Sequence, residues 1–371
     1  MRFRSLICGT VLITLAVTSA ACSSDPETTG ADGTMRINYT HSSAPSPSFA
    51  LFECVADRAG FWKDEGLAVT VNTIDGGTAA MQSLVSGQSD ITDTGTSSLL
   101  PAVAAGGELV AFHSLVTGAF VYPAVLASSP ITEMPDLEGK RVGALSLASG
   151  GIPFLKSVMA ASGGDPEKLK FIAVGDGAPA VAALQNGQVD ALIFGDTNYA
   201  LMEKLDVELR YLINDVVRKS GFGVAYSARR DWLTANRDAA GRFARAASKA
   251  YVFAKANPEL AMRMCWDIYP ELLPAGKDEA DALESQVTAL VARLASSGPV
   301  EGKIGFATDE QVQSVIDQQV MADVIKGGSV TVADVWTAEV NTVANDFDQQ
   351  EVEKLAASFC DDHPDSSSCA G

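Results

Sequence analysis

Leu67-Ala68-Val69-Thr70-Val71-Asn72-Thr73-Ile74 alternates, Asp75-Gly76-Gly77-Thr78 breaks it, and Ala79 to Ser86 continues at helical spacing. This strand–break–helix unit decides the fold, because its neighbours repeat it. On the N-terminal side, Met35-Arg36-Ile37-Asn38-Tyr39-Thr40 reads as a strand and His41 to Pro47 as a turn. Ser48 is placed to cap a helix with Phe49, Phe52, Val55, Ala56 and Ala59 on one face, ended by Gly60 and Gly66. On the C-terminal side, Ile91-Thr92-Asp93-Thr94 is a strand running into Gly95-Thr96. Ser97 or Ser98 opens a helix to Ala105, and Leu109 to Leu115 is a fourth strand. Strand and helix alternating in this way predict a mostly parallel sheet covered by helices.

The pattern then starts again. The chain crosses through Phe120 to Ala127, and Gly139 to Leu145 is a strand. Ala148-Ser149-Gly150-Gly151 precedes a helix to Ala161. Phe171 to Val174 is a strand, Pro179 to Asn186 a helix, Ala191 to Phe194 a strand, and Phe222 to Ser227 the return crossing. From Trp232 the chain is mainly helical. Ala240, Phe243, Ala244, Ala247, Tyr251 and Ala254 form one apolar face, and Leu283, Val287, Leu290, Val291 and Leu294 another; both are expected to pack on the first sheet. The expected architecture is α/β with two lobes: residues 35–120 plus 224–347, and residues 121–223, followed by a tail, 348–371. Two lobes joined by two crossings make a cleft and a hinge, a shape that closes around a ligand.

Composition narrows the partners. With 371 residues and 47% apolar content the chain can fill about two cores. A net charge of −19 excludes a general nucleic-acid binder, which needs a basic face to displace counterions. Residues 1–21 read as a secretory signal: Arg2 and Arg4, an apolar run from Ser5 to Val17, and small residues Ser19-Ala20-Ala21. Cys22 follows, with a polar tether after it (residues 22–34). The junction resembles a bacterial lipobox with Ser19 where Leu is usual, so Cys22 is expected to carry lipid and anchor the chain to a bacterial membrane; ordinary cleavage and secretion is the alternative. Losing Arg2 and Arg4 and no acid takes the net charge from −19 to −21. Cys54, Cys265, Cys360 and Cys369 then allow three disulfide connectivities outside the cytoplasm. Cys360 and Cys369, close in sequence, suit a stapled tail, leaving Cys54 to Cys265. The spacing fits no metal motif, and no cofactor is expected.

Ligands of open parallel sheets bind beyond the carboxyl ends of the strands. Those ends here are His41-Ser42-Ser43, Asp75 to Thr78, Thr94 to Ser97, Ser146 to Gly151 and Gly195 to Asn198. They are rich in glycine and hydroxyl groups, and their one basic residue is His41, expected to line the cleft. A bound anion would rest on amides and hydroxyls. Asp196 is a base, a ligand partner or a helix cap; His113, inside an apolar strand, is structural; Tyr122 and Pro123 shape the hinge or pack. An enzyme reading finds no G-x-S-x-G, H-E-x-x-H, P-loop or G-x-G-x-x-G pattern.

Several stretches carry a family resemblance. They are Ala59 to Val69, with a G-x-x-x-x-E-G-L-x-V pattern; Asp75-Gly76-Gly77; Leu84 to Ile91; Asp136 to Gly143; and Ala183 to Ala191. In this order they resemble the substrate-binding proteins of ABC importers for taurine, alkanesulfonates, nitrate, bicarbonate and thiamine-precursor pyrimidines, over residues 35–345. The resemblance implies a periplasmic binding protein type II fold and a monomeric, non-enzymatic protein that hands a small solute to a permease and its ATPase. It implies ligand contacts at Ser42, Ser43, Gly76, Gly77, Thr78, Thr94, Gly95, Thr96, Ser97, Ser149, Gly150, Gly151, Asp196, Thr197 and Tyr199. On this reading an arginine at Gly77 or Thr78 blocks the pocket without harming the fold. Two alternatives stand beside it: an extracytoplasmic enzyme on the same fold, and a lipoprotein that feeds a sensor. A related branch makes the thiamine pyrimidine, using a cysteine-rich iron motif that this chain lacks.

Overall fold

The computed structural model describes residues 33–74, 76–147, 149–273, 276 and 278–369. The secretory segment, Cys22, most of the tether, Asp75 and Ala148 lie outside the described residues. Among the described residues, ten strands form two five-stranded sheets. The first contains β1 (Met35–His41), β2 (Leu67–Thr73), β3 (Ile91–Gly95), β4 (Leu109–Val116) and β10 (Val224–Arg229), in the order β2-β1-β3-β10-β4. The second contains β5 (Val121–Leu126), β6 (Arg141–Ala144), β7 (Lys170–Ala173), β8 (Ala191–Gly195) and β9 (Leu209–Tyr211), in the order β7-β6-β8-β5-β9. Each sheet has a parallel trio, and each receives one antiparallel strand beside the trio's last member: β10 against β3 and β4, β5 against β8 and β9.

That symmetry corrects the crossings. Val121–Leu126 and Val224–Arg229, read above as part of the connections, are strands of the lobes they enter. The connections themselves are Thr117–Phe120 and Ser220–Gly223. They lie side by side: a Cβ on Gly221 would stand 2.1 Å from the Thr117 carbonyl oxygen, and one on Gly223 2.3 Å from the Phe120 ring. Tyr122 packs on Tyr199, ring to ring at 5.4 Å, and shapes no hinge. The three-residue strand β9 had no sequence signal, because so short a run has no periodicity to read.

The α-helices of eight residues or more are α1 (Gly77–Val85), α2 (Thr96–Ala104), α3 (Gly151–Ala161), α4 (Ala178–Gln185) and α5 (Asp196–Glu203), then α6 (Arg237–Ala256), α7 (Pro258–Ile268), α8 (Glu279–Ser296), α9 (Asp309–Met321) and α10 (Gln349–Asp362). The two lobes close their units alike. Gly87 and Gly187 end α1 and α4 with left-handed backbone, φ 75° and 63°. Asp90 then accepts the Asn38 amide at 2.8 Å through its carboxylate, and Asp190 the Arg141 amide at the same distance. The repeated G-Q-x-D stretches are thus fasteners between a helix end and the middle strand of each parallel trio, β1 or β6.

The α6 face (Ala240, Phe243, Ala244, Ala247, Ala254) is buried in the first lobe, where Phe243 meets Tyr39, Tyr226 and Trp62. Leu283, Leu290 and Leu294 of α8 join the same core, whereas Val291 is exposed and belongs to no core face. Ser48 caps nothing. Ala50–Cys54 winds as a π-helix into the short helix Val55–Arg58, with all five of its residues buried, and this aims Glu53 inward. Disulfides join Cys54 to Cys265 and Cys360 to Cys369. The first ties the segment after β1 to α7; the second closes the tail, whose last turn packs on α7. Replacing Cys54 and Cys265 together by serine is expected to cost about 2–5 kcal/mol, because the bond spans much of the chain; chemical denaturation of the double variant measures it.

Candidate ligand cleft between the lobes

The lobes face each other across the paired connections; among the described residues one cavity of about 470 Å³, with Lys219, Glu310 and Asp317 in its wall, lies between the far end of α3 and α9, and two more lie at the strand ends. The larger, about 470 Å³, opens at the starts of α2 and α3 and is backed by α9. Gly95, Thr96, Ser97, Gly150 and Gly151 line it, together with Phe120, Phe154 and Phe222. The smaller, about 300 Å³, is lined by Ser42, Ser43, Asp93, Gly95, Thr197, Phe49 and Arg293 among others. The larger lies beyond the carboxyl end of β3 and at the start of α3, which follows β6, and the smaller beyond the carboxyl ends of β1, β3 and β8, where parallel sheets leave room for a ligand.

The remaining expected contacts are placed elsewhere. Tyr199 is in the core: its hydroxyl accepts the Phe194 amide at 3.1 Å and reaches the carbonyls of Tyr122 and Leu192 at 2.9 and 3.1 Å. It is therefore not a ligand contact, since its polar group is spent on the sheet. Thr94 is buried. Gly76, Gly77 and Thr78 begin α1 and line neither cavity. A Cβ at Gly77 would stand 2.3 Å from Ser98 Oγ, so a side chain there must displace Ser98, whereas Thr78 is exposed. Ser149 adjoins the larger cavity without lining it.

Asp196 does none of its candidate chemistry alone. It heads α5, accepts the Thr197 amide at 2.8 Å, and receives two hydrogen bonds from Arg293 of α8, at 2.8 and 3.2 Å, plus one from Ser296. Arg293 also lies over the Phe120 ring, 5.1 Å from its centre. Because α8 belongs to the first lobe and α5 to the second, this forked pair clasps the lobes together. Lys204 and Glu284 add an exposed pair between the same helices, and the Thr117 and Gly118 amides bond the Ser296 carbonyl at the end of α8. On the other flank, Ser157 of α3 donates to the Gln318 carbonyl of α9 at 2.8 Å. Arg293 is the cation that strand-end reading missed: it lies 97 residues from Asp196 in sequence, on a helix whose pattern reports only its apolar face.

His41 does not line the cleft. It is fully buried, stacked on Phe49 at 3.6 Å, with Nε2 2.7 Å from Glu53 and Nδ1 2.9 Å from Asp93. Burial alone would lower its pKa, but the two carboxylates prevail and raise it to about 9. The imidazolium thereby fixes the end of β1, and the free oxygen of Asp93 takes the Ser42 amide. His113 is the opposite case: burial with no countercharge pushes it down to about 3, and its Nδ1 has no partner. Among the described residues no group of His, Cys, Asp and Glu is arranged to hold a metal ion, and no helix is long and apolar enough to cross a membrane.

A sequence model of the family described as NMT1/THI5 like matches residues 49–261, more than half of the chain. The chain belongs to the NMT1/THI5-like family. Solved structures place this NMT1/THI5-like chain among periplasmic binding proteins in fold. It is 20% identical to the periplasmic aliphatic sulphonate binding protein SsuA from Escherichia coli, with a TM-score of 0.59, covering 82% of this chain and 92% of that one. The alkanesulfonate-binding SsuA from Xanthomonas axonopodis pv. citri, solved with MOPS, is also 20% identical, at TM-score 0.54, covering 81% and 98%. The Candida albicans CA3427 product, described as having the generic periplasmic binding protein fold, gives 15% and 0.51 over 84% and 94%. No curated protein sequence matches the chain. The two-lobe type II architecture is therefore the fold of this family member.

Two expectations follow. Replacing Arg293 by Met alone strands a buried carboxylate and is expected to cost about 3–5 kcal/mol, whereas adding Asp196→Asn restores part of the loss; a double-mutant cycle in urea reads both. The His41 charge is bound more tightly in the folded state, so its stabilisation is complete below pH 6.5, the ordinary value, and disappears as pH rises through about 9. The gap between wild type and His41→Gln, on the order of 3 kcal/mol, is expected to shrink across that window. A gap independent of pH would mean that His41 is neutral.

Proposed function

We propose that this protein is an extracytoplasmic solute-binding lipoprotein that holds a small organic solute between its lobes and delivers it to an ABC permease. The observation that carries this reading is the cavity at the paired connections, walled by equivalent helix starts, α2 in one lobe and α3 in the other. A ligand touching both walls favours the closed arrangement, and so couples occupancy to shape. The Asp196–Arg293 clasp supports the same reading, because it holds the lobes together without occupying the larger cavity. Contacts are assigned to Ser97, Gly150 and Gly151 in the larger cavity, and to Ser42, Ser43 and Thr197 in the smaller one. Two structural relatives are sulfonate-binding proteins, which makes sulfonates the first compounds to try, with nitrate, bicarbonate and pyrimidines beside them. The lipid is assigned to Cys22, after a signal of residues 1–21.

A thermal-shift screen with native mass spectrometry tests the binding role. One compound is expected to raise the melting temperature with dose and to be recovered unchanged. Recovery of a transformed compound would replace the binding protein by an enzyme. Lipidation is tested separately: the chain expressed in a bacterium is expected to incorporate labelled fatty acid, and Cys22→Ser to abolish incorporation and release the protein from membranes.

A further inference from the structure

Among the described residues, none that lines the larger cavity is Lys, Arg, His, Asp or Glu. Its walls are three phenyl rings, Phe120, Phe154 and Phe222, with Val121, Val315 and Val324. Polar side chains are present, but the protein has already used most of them. Thr96 Oγ1 donates to the Phe222 carbonyl at 2.7 Å, Ser157 to the Gln318 carbonyl at 2.8 Å, and Ser220 to the Val216 carbonyl at 2.9 Å. The Gln318 amide is bonded to Ser220. The helix starts are partly spent too, since the Thr96 amide bonds the Gly223 carbonyl and the Ile152 amide the Ser149 carbonyl. Arg293 lines the other cavity, where Asp196 already neutralises it.

Ser97 is exposed, and one buried polar group is left over. Gln319 lines the cavity while only 8% exposed; its amide nitrogen donates to the Thr96 carbonyl at 3.3 Å, and its oxygen has no partner. A buried acceptor without a donor is costly, and a ligand that brings a donor removes the cost. An anion entering this cavity would lose its hydration and find no cation in exchange. An apolar body would displace water from phenyl and valine surface at a gain.

We infer that the cleft selects an uncharged, mainly apolar ring compound that donates a hydrogen bond to Gln319 Oε1, and disfavours sulfonates and other anions. The inference deepens the solute-binding reading and rests on it.

Matched probes test it. 1-Naphthol, naphthalene and 1-naphthalenesulfonate share one apolar body and differ in donor and charge. Binding to the protein, purified after full-length expression, is measured by equilibrium dialysis at low salt, and the bound compound is analysed afterwards. 1-Naphthol is expected to bind about tenfold more tightly than the sulfonate. Phe154→Ala is expected to weaken 1-naphthol about fivefold. Gln319→Leu is expected to erase the preference for 1-naphthol over naphthalene while changing naphthalene itself less than about twofold. Circular dichroism confirms that both variants fold. Tighter binding of the sulfonate, no binding of 1-naphthol, or 1-naphthol binding indifferent to both variants each overturns the inference. The solute-binding reading survives the first of these and fails only if a bound compound is returned chemically altered.

Discussion

The return of the chain as β10 is the constraint on which the structure depends. β4 and β3 do not pair with each other; each pairs with β10, which enters antiparallel between them after the whole second lobe has been made. Tyr226, on that strand, fills the first core and donates to the Phe52 carbonyl at 2.7 Å. Because the strand leaving the first lobe and the strand re-entering it are adjacent in space, the two connections are forced side by side, with Gly221 and Gly223 where no side chain fits. The cavities flank the connections for that reason.

The sequence was most legible where a signal is local. Glycine followed by aspartate at Gly87–Asp90 and Gly187–Asp190 marks helix end and strand start in both lobes, and alternation or short apolar runs locate β1 to β4 and β6 to β8, whereas β5 and β10 read as crossings and β9 as nothing. The glycine- and serine-rich ends of β3 and the start of α3 do border the larger cavity. Legibility fails where function comes from a distant partner. Asp196 looks like a cap or a base until Arg293 arrives from α8. Tyr199 sits in a strand-end segment, yet its ring turns into the sheet. His41 is drawn from the cleft by Glu53 on a π-helix that no periodicity announces, and no motif in the sequence singles out the α9 residues behind the cavity.

Charge is distributed with a clear logic. The chain is strongly acidic, yet the charged groups near the lobe interface occur in matched sets: His41 with Glu53 and Asp93, Arg293 with Asp196. Each set spans elements that must keep a fixed relation, the first within one lobe and the second between lobes. Burying such pairs adds little net stability compared with apolar packing, but each is costly to break, so they fix geometry more than they add energy. The larger cavity is then left to apolar surface.

The discontinuous first lobe has a consequence for assembly. The second lobe is one uninterrupted segment, with every strand in hand by Tyr211. The first cannot complete its sheet before Arg229, nor gather its covering helices before α10, and the Cys54–Cys265 bond joins residues 211 apart. Loops that long close slowly. As the chain emerges from its N-terminus, the lobe encoded in the middle is the first that can be finished, and the lobe that begins the fold is the last.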